Sequence, residues 1–171
     1  MVDSALFSAD SEEWGTPQGL FDELERRFCQ PFNLDAAASH SNHKCDYYFT
    51  KEDDGLAQEW KGLDGFSGQA FVNPPYGPQI KDWVEKAIQE TENKNAGVVV
   101  MLLPARTDME WFHRALETAS SIHFIRGRIK FEEAKSGAPF PSLVAVWQRY
   151  RASGGARVWR MTREGKEVAW P

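Results

Sequence analysis

Apolar positions along this chain alternate between a helical and an extended period. Leu20, Phe21, Leu24 and Phe28 recur at helical spacing behind Thr16-Pro17. Thr is a capping residue and Pro suits a first helical turn, so a helix is predicted to open near Thr16. A short strand is expected over 32–37 and another around 46–49, with a polar loop between them. Residues 50–68 carry Gly55, Gly62, Gly65 and Gly68 and read as mostly irregular. Ala70-Phe71-Val72 forms a buried strand stopped by Asn73-Pro74-Pro75-Tyr76. Ile80, Trp83, Val84, Ala87 and Ile88 then mark one face of a second helix. The longest apolar run, 98–103, predicts a central strand ended by Pro104. Asp108 stands where it can cap a third helix bearing Met109, Phe112, Leu116 and Ala119. Strands are expected at 121–125 and 143–147, and a hairpin at 158–161 and 168–170 turning at Glu164-Gly165.

Strands alternating with helices predict an α/β domain with a mostly parallel central sheet flanked by helices. The organisation expected is a loose N-terminal tail over 1–13, one domain over 14–148 and a C-terminal extension over 149–171. In such sheets ligands sit beyond the carboxyl ends of the strands. Two segments mark strand ends clearly, Asp35-Ala36-Ala37-Ala38 and Asn73-Pro74-Pro75-Tyr76.

At 171 residues, 42% hydrophobic and 26% charged, the chain has the size and composition of a single globular domain. It lacks an apolar run long enough to span a bilayer, and its acidic N-terminus does not read as a signal peptide. Cys29 and Cys45 belong to no disulfide framework and are expected as reduced thiols in a cytoplasm. His40, His43 and Cys45 lack the ligand set of a zinc site, so no metal is expected. The net charge of −5 argues against binding that relies on wrapping nucleic acid in positive charge. Arginine and lysine nevertheless concentrate in 126–166, which leaves room for a local contact with an anionic partner.

The chemistry gathers at Asn73-Pro74-Pro75-Tyr76. Consecutive prolines fix their own backbone and restrain the residue before them, giving a stiff corner with free carbonyls and rigidly aimed neighbours. An exocyclic ring amine is a poor nucleophile because its lone pair is delocalised into the ring. Accepting its N–H bonds with the Asn73 side chain and the Pro74 carbonyl favours a tetrahedral nitrogen, and Tyr76 offers a face for the base. Such catalysis works through positioning and preorganised acceptors rather than a strong base.

This tetrapeptide matches the (Asp/Asn/Ser)-Pro-Pro-(Tyr/Phe/Trp) signature of S-adenosylmethionine-dependent amino-methyltransferases. Further segments follow in order: Glu13-Trp14-Gly15-Thr16-Pro17, Leu34-Asp35-Ala36-Ala37-Ala38, Asp54-Gly55-Leu56, Leu103-Pro104-Ala105-Arg106-Thr107-Asp108 and Arg126-Gly127-Arg128-Ile129-Lys130-Phe131. Together, over residues 12–148, the chain resembles the phage-type DNA N6-adenine methyltransferase family. The resemblance implies a Rossmann-like methyltransferase fold, S-adenosylmethionine as methyl donor, and a phage- or prophage-encoded enzyme acting on DNA inside a bacterial host. It implies catalytic roles for Asn73, Pro74, Pro75 and Tyr76. It puts Trp14, Thr16, Pro17, Asp35, Ala36, Ala37, Asp54, Leu56 and Asn73 against the cofactor. Alanines replace the glycine-rich turn usual in the wider class, and the acid for the ribose diol stays open among Asp46, Glu52 and Asp53.

Arg106 and Thr107, after the central strand, and Arg126 and Arg128, after the next, are expected to contact DNA phosphates. Ion pairs with Glu110, Glu132 or Glu133 are the structural alternative for these arginines. Trp14 and Trp83 are further candidate stacking rings, Trp83 also suiting helix core. The target base is expected flipped out or single-stranded, with weak or very short sequence specificity. N4-cytosine, an RNA base or a protein glutamine are alternative acceptors, and a catalytically dead DNA-binding module is the non-enzymatic alternative.

Overall fold

A computed structural model describes residues 14–28, 31–65, 67–132, 134–150 and 154–168. The expected tail over 1–13, Cys29, Glu133 and the hairpin end at 169–170 lie outside the described residues. Three helices, α1 (Gln18–Phe28), α2 (Ile80–Glu92) and α3 (Glu110–Thr118), accompany seven strands: β1 (Leu34–Asp35), β2 (Gly68–Val72), β3 (Ala96–Pro104), β4 (Ser121–Arg126), β5 (Ser142–Gln148), β6 (Arg157–Thr162) and β7 (Glu167–Val168). They form one sheet in the order β1-β2-β3-β5-β4-β6-β7. The pairs β1–β2, β2–β3 and β4–β6 are parallel, while β5 runs antiparallel to both β3 and β4 and β7 antiparallel to β6. Five strands therefore share one direction, and the sheet is mixed but mostly parallel.

The period-2 pattern decides which face each strand residue covers. Val99, Met101 and Leu103 of β3 join Leu143, Ala145 and Trp147 of β5 under α2 and α3, with Trp83, Val84, Trp111 and Phe112. Their alternates Val100, Leu102, Val144 and Val146 meet Leu20, Phe21 and Leu24 of α1 on the opposite face. Trp83 is thus core, stacked on Trp60 at 6.1 Å between centroids.

Three expectations need correction. Asp108 does not cap α3: the N-cap is Met109, with no side-chain cap bond, and Asp108 falls one residue early. The strand over 32–37 shortens to Leu34–Asp35 because the Asn33 carboxamide takes over the ladder, accepting from Gln69 N at 2.6 Å. The strand at 46–49 is only a bridge, Asp35 with Tyr48, though Asp35 N donates to Tyr47 O and Phe49 N to Asp35 O. Among the described residues, no helix is long and apolar enough to cross a membrane.

Candidate active site

Because β1, β2, β3 and β4 run the same way, their carboxyl ends reach one edge of the sheet. That edge collects Asp35, Asn73, Arg106 and Arg126 from four separate segments. The antiparallel β5 starts there, so the segment between β4 and β5 returns across the site rather than along a helical face. Ala138 N donates to Ile129 O (2.7 Å), Glu132 N to Gly15 O (2.7 Å) and Ala105 N to Pro141 O (2.8 Å). These bonds fasten 129–141 to the strand ends and to the chain just before α1.

Asn73 follows β2 directly. Its side-chain Nδ2 donates to the backbone carbonyl of Trp14 and to Thr16 Oγ1, the latter at 3.1 Å. Its Oδ1 is buried with no hydrogen-bond partner among the described residues. An unpaired buried carbonyl costs free energy unless something supplies an N–H, so this atom is an acceptor held ready for a donor. Thr16, only 2% exposed, turns its hydroxyl to Asn73. The first turn of α1 is closed by Leu20 N and Phe21 N on Pro17 O.

Pro74 is buried and Pro75 exposed. The half-buried Tyr76 directs its hydroxyl inward to Leu102 O at 3.5 Å, and burial drives that hydroxyl's ionisation far above the ordinary tyrosine range. Its ring meets Phe140 edge-on at 5.3 Å and Phe131 at 6.4 Å, while Trp14 lies 5.2 Å from Phe131 and 5.5 Å from Phe140. Four aromatic rings therefore pack against one another next to the Asn73-Pro74-Pro75-Tyr76 corner, with Phe131 fully buried.

Asp35 ends β1 and is 3% exposed. Its carboxylate accepts from Lys44 N (2.9 Å) and, more weakly, from Ala37 N (3.4 Å). Burial nevertheless prevails and pushes its pKa up to about 6. A carboxyl whose folded pKa is raised takes up protons on folding, so it costs stability as pH rises from near 4 to 6 and levels off above. At about 1.4 kcal/mol per pH unit, the cost reaches roughly 3 kcal/mol. Urea unfolding should accordingly show a loss of about that order between pH 4 and 7 in wild type that is absent from Asp35→Asn.

Next to Ala36, Asp54 sits at a φ of 55° and is exposed, with Leu56 packed against the core under α2. Gly55 presses on β1 so closely that a Cβ there would stand 2.2 Å from Ala36 O. Of the three acids left open for a diol, Asp53 is engaged by Thr50, accepting from its N and Oγ1 at 2.8 Å each. Asp46 lines a separate shallow cavity with Phe32, Asn33, Tyr47, Leu63 and Asp64. Glu52 lies in the same exposed turn, its carboxyl held below the usual range by backbone and Thr50 hydrogen bonds.

Arg106 is half-buried behind β3 and Thr107 is exposed. Arg126 and Arg128 are exposed on either side of Gly127, whose φ of 89° turns the chain. Glu132, one expected partner for these arginines, instead pairs with Lys44 at 2.8 Å. His40 Nδ1 bonds Tyr48 Oη and His43 Nδ1 bonds Cys45 O, each at 3.0 Å.

Residues 3–164 match the family model described as DNA N-6-adenine-methyltransferase (Dam). The chain belongs to that family. Relatives include a DNA N-6-adenine-methyltransferase of Haemophilus phage HP1 (strain HP1c1), 30% identical over 80% of this chain and 76% of the relative. Another of the same description, from Escherichia phage T1, is 36% identical over 66% of this chain but only 44% of its own length. The putative methyltransferase YfdM of Escherichia coli (strain K12) is 41% identical over 38% of this chain and 71% of its own. The matches thus cover less than half of the T1 protein, 76% of the HP1 protein and 71% of YfdM.

Beside this candidate site, the sequence alone leaves two rings without a role, Phe131 and Phe140. Phe131 ends the Arg126–Lys130 motif and Phe140 lies between Pro139 and Pro141. The prolines on both sides of Phe140 are the available signal there, as the two prolines after Asn73 are for that residue.

Proposed function

We propose that this chain transfers a methyl group from S-adenosylmethionine to N6 of adenine in DNA. The observation that carries the reading is Asn73 Oδ1, a buried acceptor without a partner at a Pro-Pro corner. There it accepts one N–H of the target amine while the Pro74 carbonyl accepts the other, drawing the nitrogen toward tetrahedral geometry. Its amide is preorganised by two fixed acceptors, so little reorganisation is needed during reaction. The partly buried rings of Trp14, Tyr76 and Phe140, backed by the core ring of Phe131, offer apolar surface for a base taken out of its stack.

The residues of the β1 edge fit a sulfonium cofactor with an amino-acid end. Asp35, a buried carboxylate ionising at about 6, gains from a neighbouring ammonium. Trp14, Thr16 and Pro17 approach from the start of α1, Ala36 and Ala37 allow close backbone contact, and Asp54 with Leu56 suits an adenine edge and face. When bound, S-adenosylmethionine supplies the electrophilic methyl group. Few residues are left over for reading sequence, so specificity is weak or confined to very few bases.

Arg126 and Arg128 contact phosphates. Replacing both with alanine should weaken DNA binding and flatten the plot of log affinity against log salt by up to about 0.9 for each phosphate no longer neutralised. An unchanged slope would remove them from the interface.

The test of the reaction is transfer of labelled methyl from S-adenosylmethionine to unmethylated DNA, followed by nucleoside digestion. Label in N6-methyldeoxyadenosine supports the proposal. Label in N4-methyldeoxycytidine, or only in RNA or protein glutamine, overturns it.

A further inference from the structure

We propose that the Trp14 carbonyl dictates which end of the Asn73 amide meets the target amine, while the Thr16 hydroxyl takes up the amide's second N–H and so acts as a positioning residue. The inference rests on the reading that Asn73 Oδ1 accepts from that amine.

A carboxamide is nearly symmetric in shape and opposite in hydrogen-bonding sense at its two ends. Rotated by half a turn, Asn73 would offer two N–H donors to an amine that is itself a donor. The structure contains a device against that rotation. Trp14 O has no hydrogen to give, so it accepts Nδ2 and repels Oδ1. Thr16 Oγ1 accepts the second N–H. With both Nδ2 hydrogens used, Oδ1 is left as the free end.

The frame itself is held in place. Gly15 bridges to Glu132, where a Cβ on Gly15 would come within 3.0 Å of Glu132 Cβ. Lys44 Nζ spans Glu132 Oε1 (2.8 Å) and Gln18 Oε1 (3.3 Å), tying the loop after β1 to the start of α1. The Trp14 ring is wedged between Phe131 and Phe140.

The frame leads to an unusual expectation. The tetrapeptide signature admits Asp at its first position, yet in this chain the ionised carboxylate of Asn73→Asp would set an oxygen against Trp14 O. Only the Thr16 hydroxyl could then donate to it. The same carboxyl when protonated would donate its O–H to Trp14 O and keep its other oxygen as acceptor, reproducing the amide. Asn73→Asp should therefore gain activity as pH falls, its rate relative to wild type rising about tenfold per pH unit above the new acid's pKa. Titratable groups around the position are Tyr76 on its own turn, Asp35 at the end of β1, Arg106 after β3 and the Glu132–Lys44 pair beyond Gly15. All are present in both proteins, so the ratio of rates removes their direct titration.

The experiment measures methyl transfer to DNA between pH 5.5 and 8.5 for wild type, Asn73→Asp, Thr16→Val and Thr16→Ser, with S-adenosylmethionine and DNA saturating. Expected are a steep ratio for Asn73→Asp, a kcat about tenfold down in Thr16→Val with little change in KM for DNA, and recovery in Thr16→Ser, as the loss of one hydrogen bond implies. Full Asn73→Asp activity at pH 8, or a deficit that ignores pH, overturns the proposal. If Asn73→Asp does not fold, Thr16→Val with wild-type kcat overturns it instead. Wild type that leaves DNA adenine unmethylated removes the underlying reading, and the inference with it.

Discussion

Asn73→Ala should lower kcat for methyl transfer by at least about a hundredfold, the scale seen when one preorganised polar group is removed from a reacting centre. The substitution deletes the unpaired Oδ1 and also the donor that satisfies Trp14 O and Thr16 Oγ1. Asn73 lies at the end of β2, between the core Val72 and buried Pro74, and its side chain is only half-buried. Truncation thus leaves both hydrophobic clusters intact and should cost little more than the missing hydrogen bonds, about 1–3 kcal/mol. S-adenosylmethionine binding, followed by calorimetry, should persist because Asp35, Ala36 and Asp54 come from other segments. A variant that binds cofactor and methylates DNA at the wild-type rate would take Asn73 out of the reaction.

Gly55→Ala should damage the protein by a different route. A Cβ at this position meets Ala36 O at 2.2 Å and Trp83 Cη2 at 3.1 Å. The first neighbour is backbone of the residue after β1, which cannot swing aside. Either the 50–58 turn or the end of β1 must move. Gly55 also supplies the carbonyl that receives Trp60 Nε1 at 2.8 Å, and Trp60 is fully buried. Overpacking of this kind costs about 1–3 kcal/mol or more, and here it displaces Asp54 and Ala36 together. Thermal unfolding should fall, and affinity for S-adenosylmethionine should drop further than folding alone explains. A stable variant with normal cofactor affinity would show that the turn takes no part in that site.

Much of this site was legible locally. Two prolines stopping an apolar strand specify a rigid corner whatever surrounds it, and the apolar run from Val98 to Leu103 identifies a strand buried on both faces. Other features depend on partners far along the chain. Trp14 and Asn73 meet across 59 residues, through a backbone carbonyl that no side-chain pattern announces. That Phe131 and Phe140 lie near Asn73 follows only once β5 is known to run antiparallel between β3 and β4, which brings the segment before it back to the strand ends. Helix starts fail more simply, since Asp108 and Met109 differ by one position and the cap is decided by backbone geometry.

Holding the Asn73 side chain with a main-chain carbonyl also bears on how such a site drifts over generations. A side-chain partner can be lost in one nucleotide change, whereas the oxygen of residue 14 is present whatever amino acid occupies it. What must be retained is the path of the chain, secured by the Gly15–Glu132 bridge and by Thr16 at the door of α1. The ring at position 14 packs on Phe131 and Phe140, but the carbonyl that holds Asn73 does not depend on which ring that is. Mutational tolerance and chemical constancy are thus assigned to different atoms of one residue.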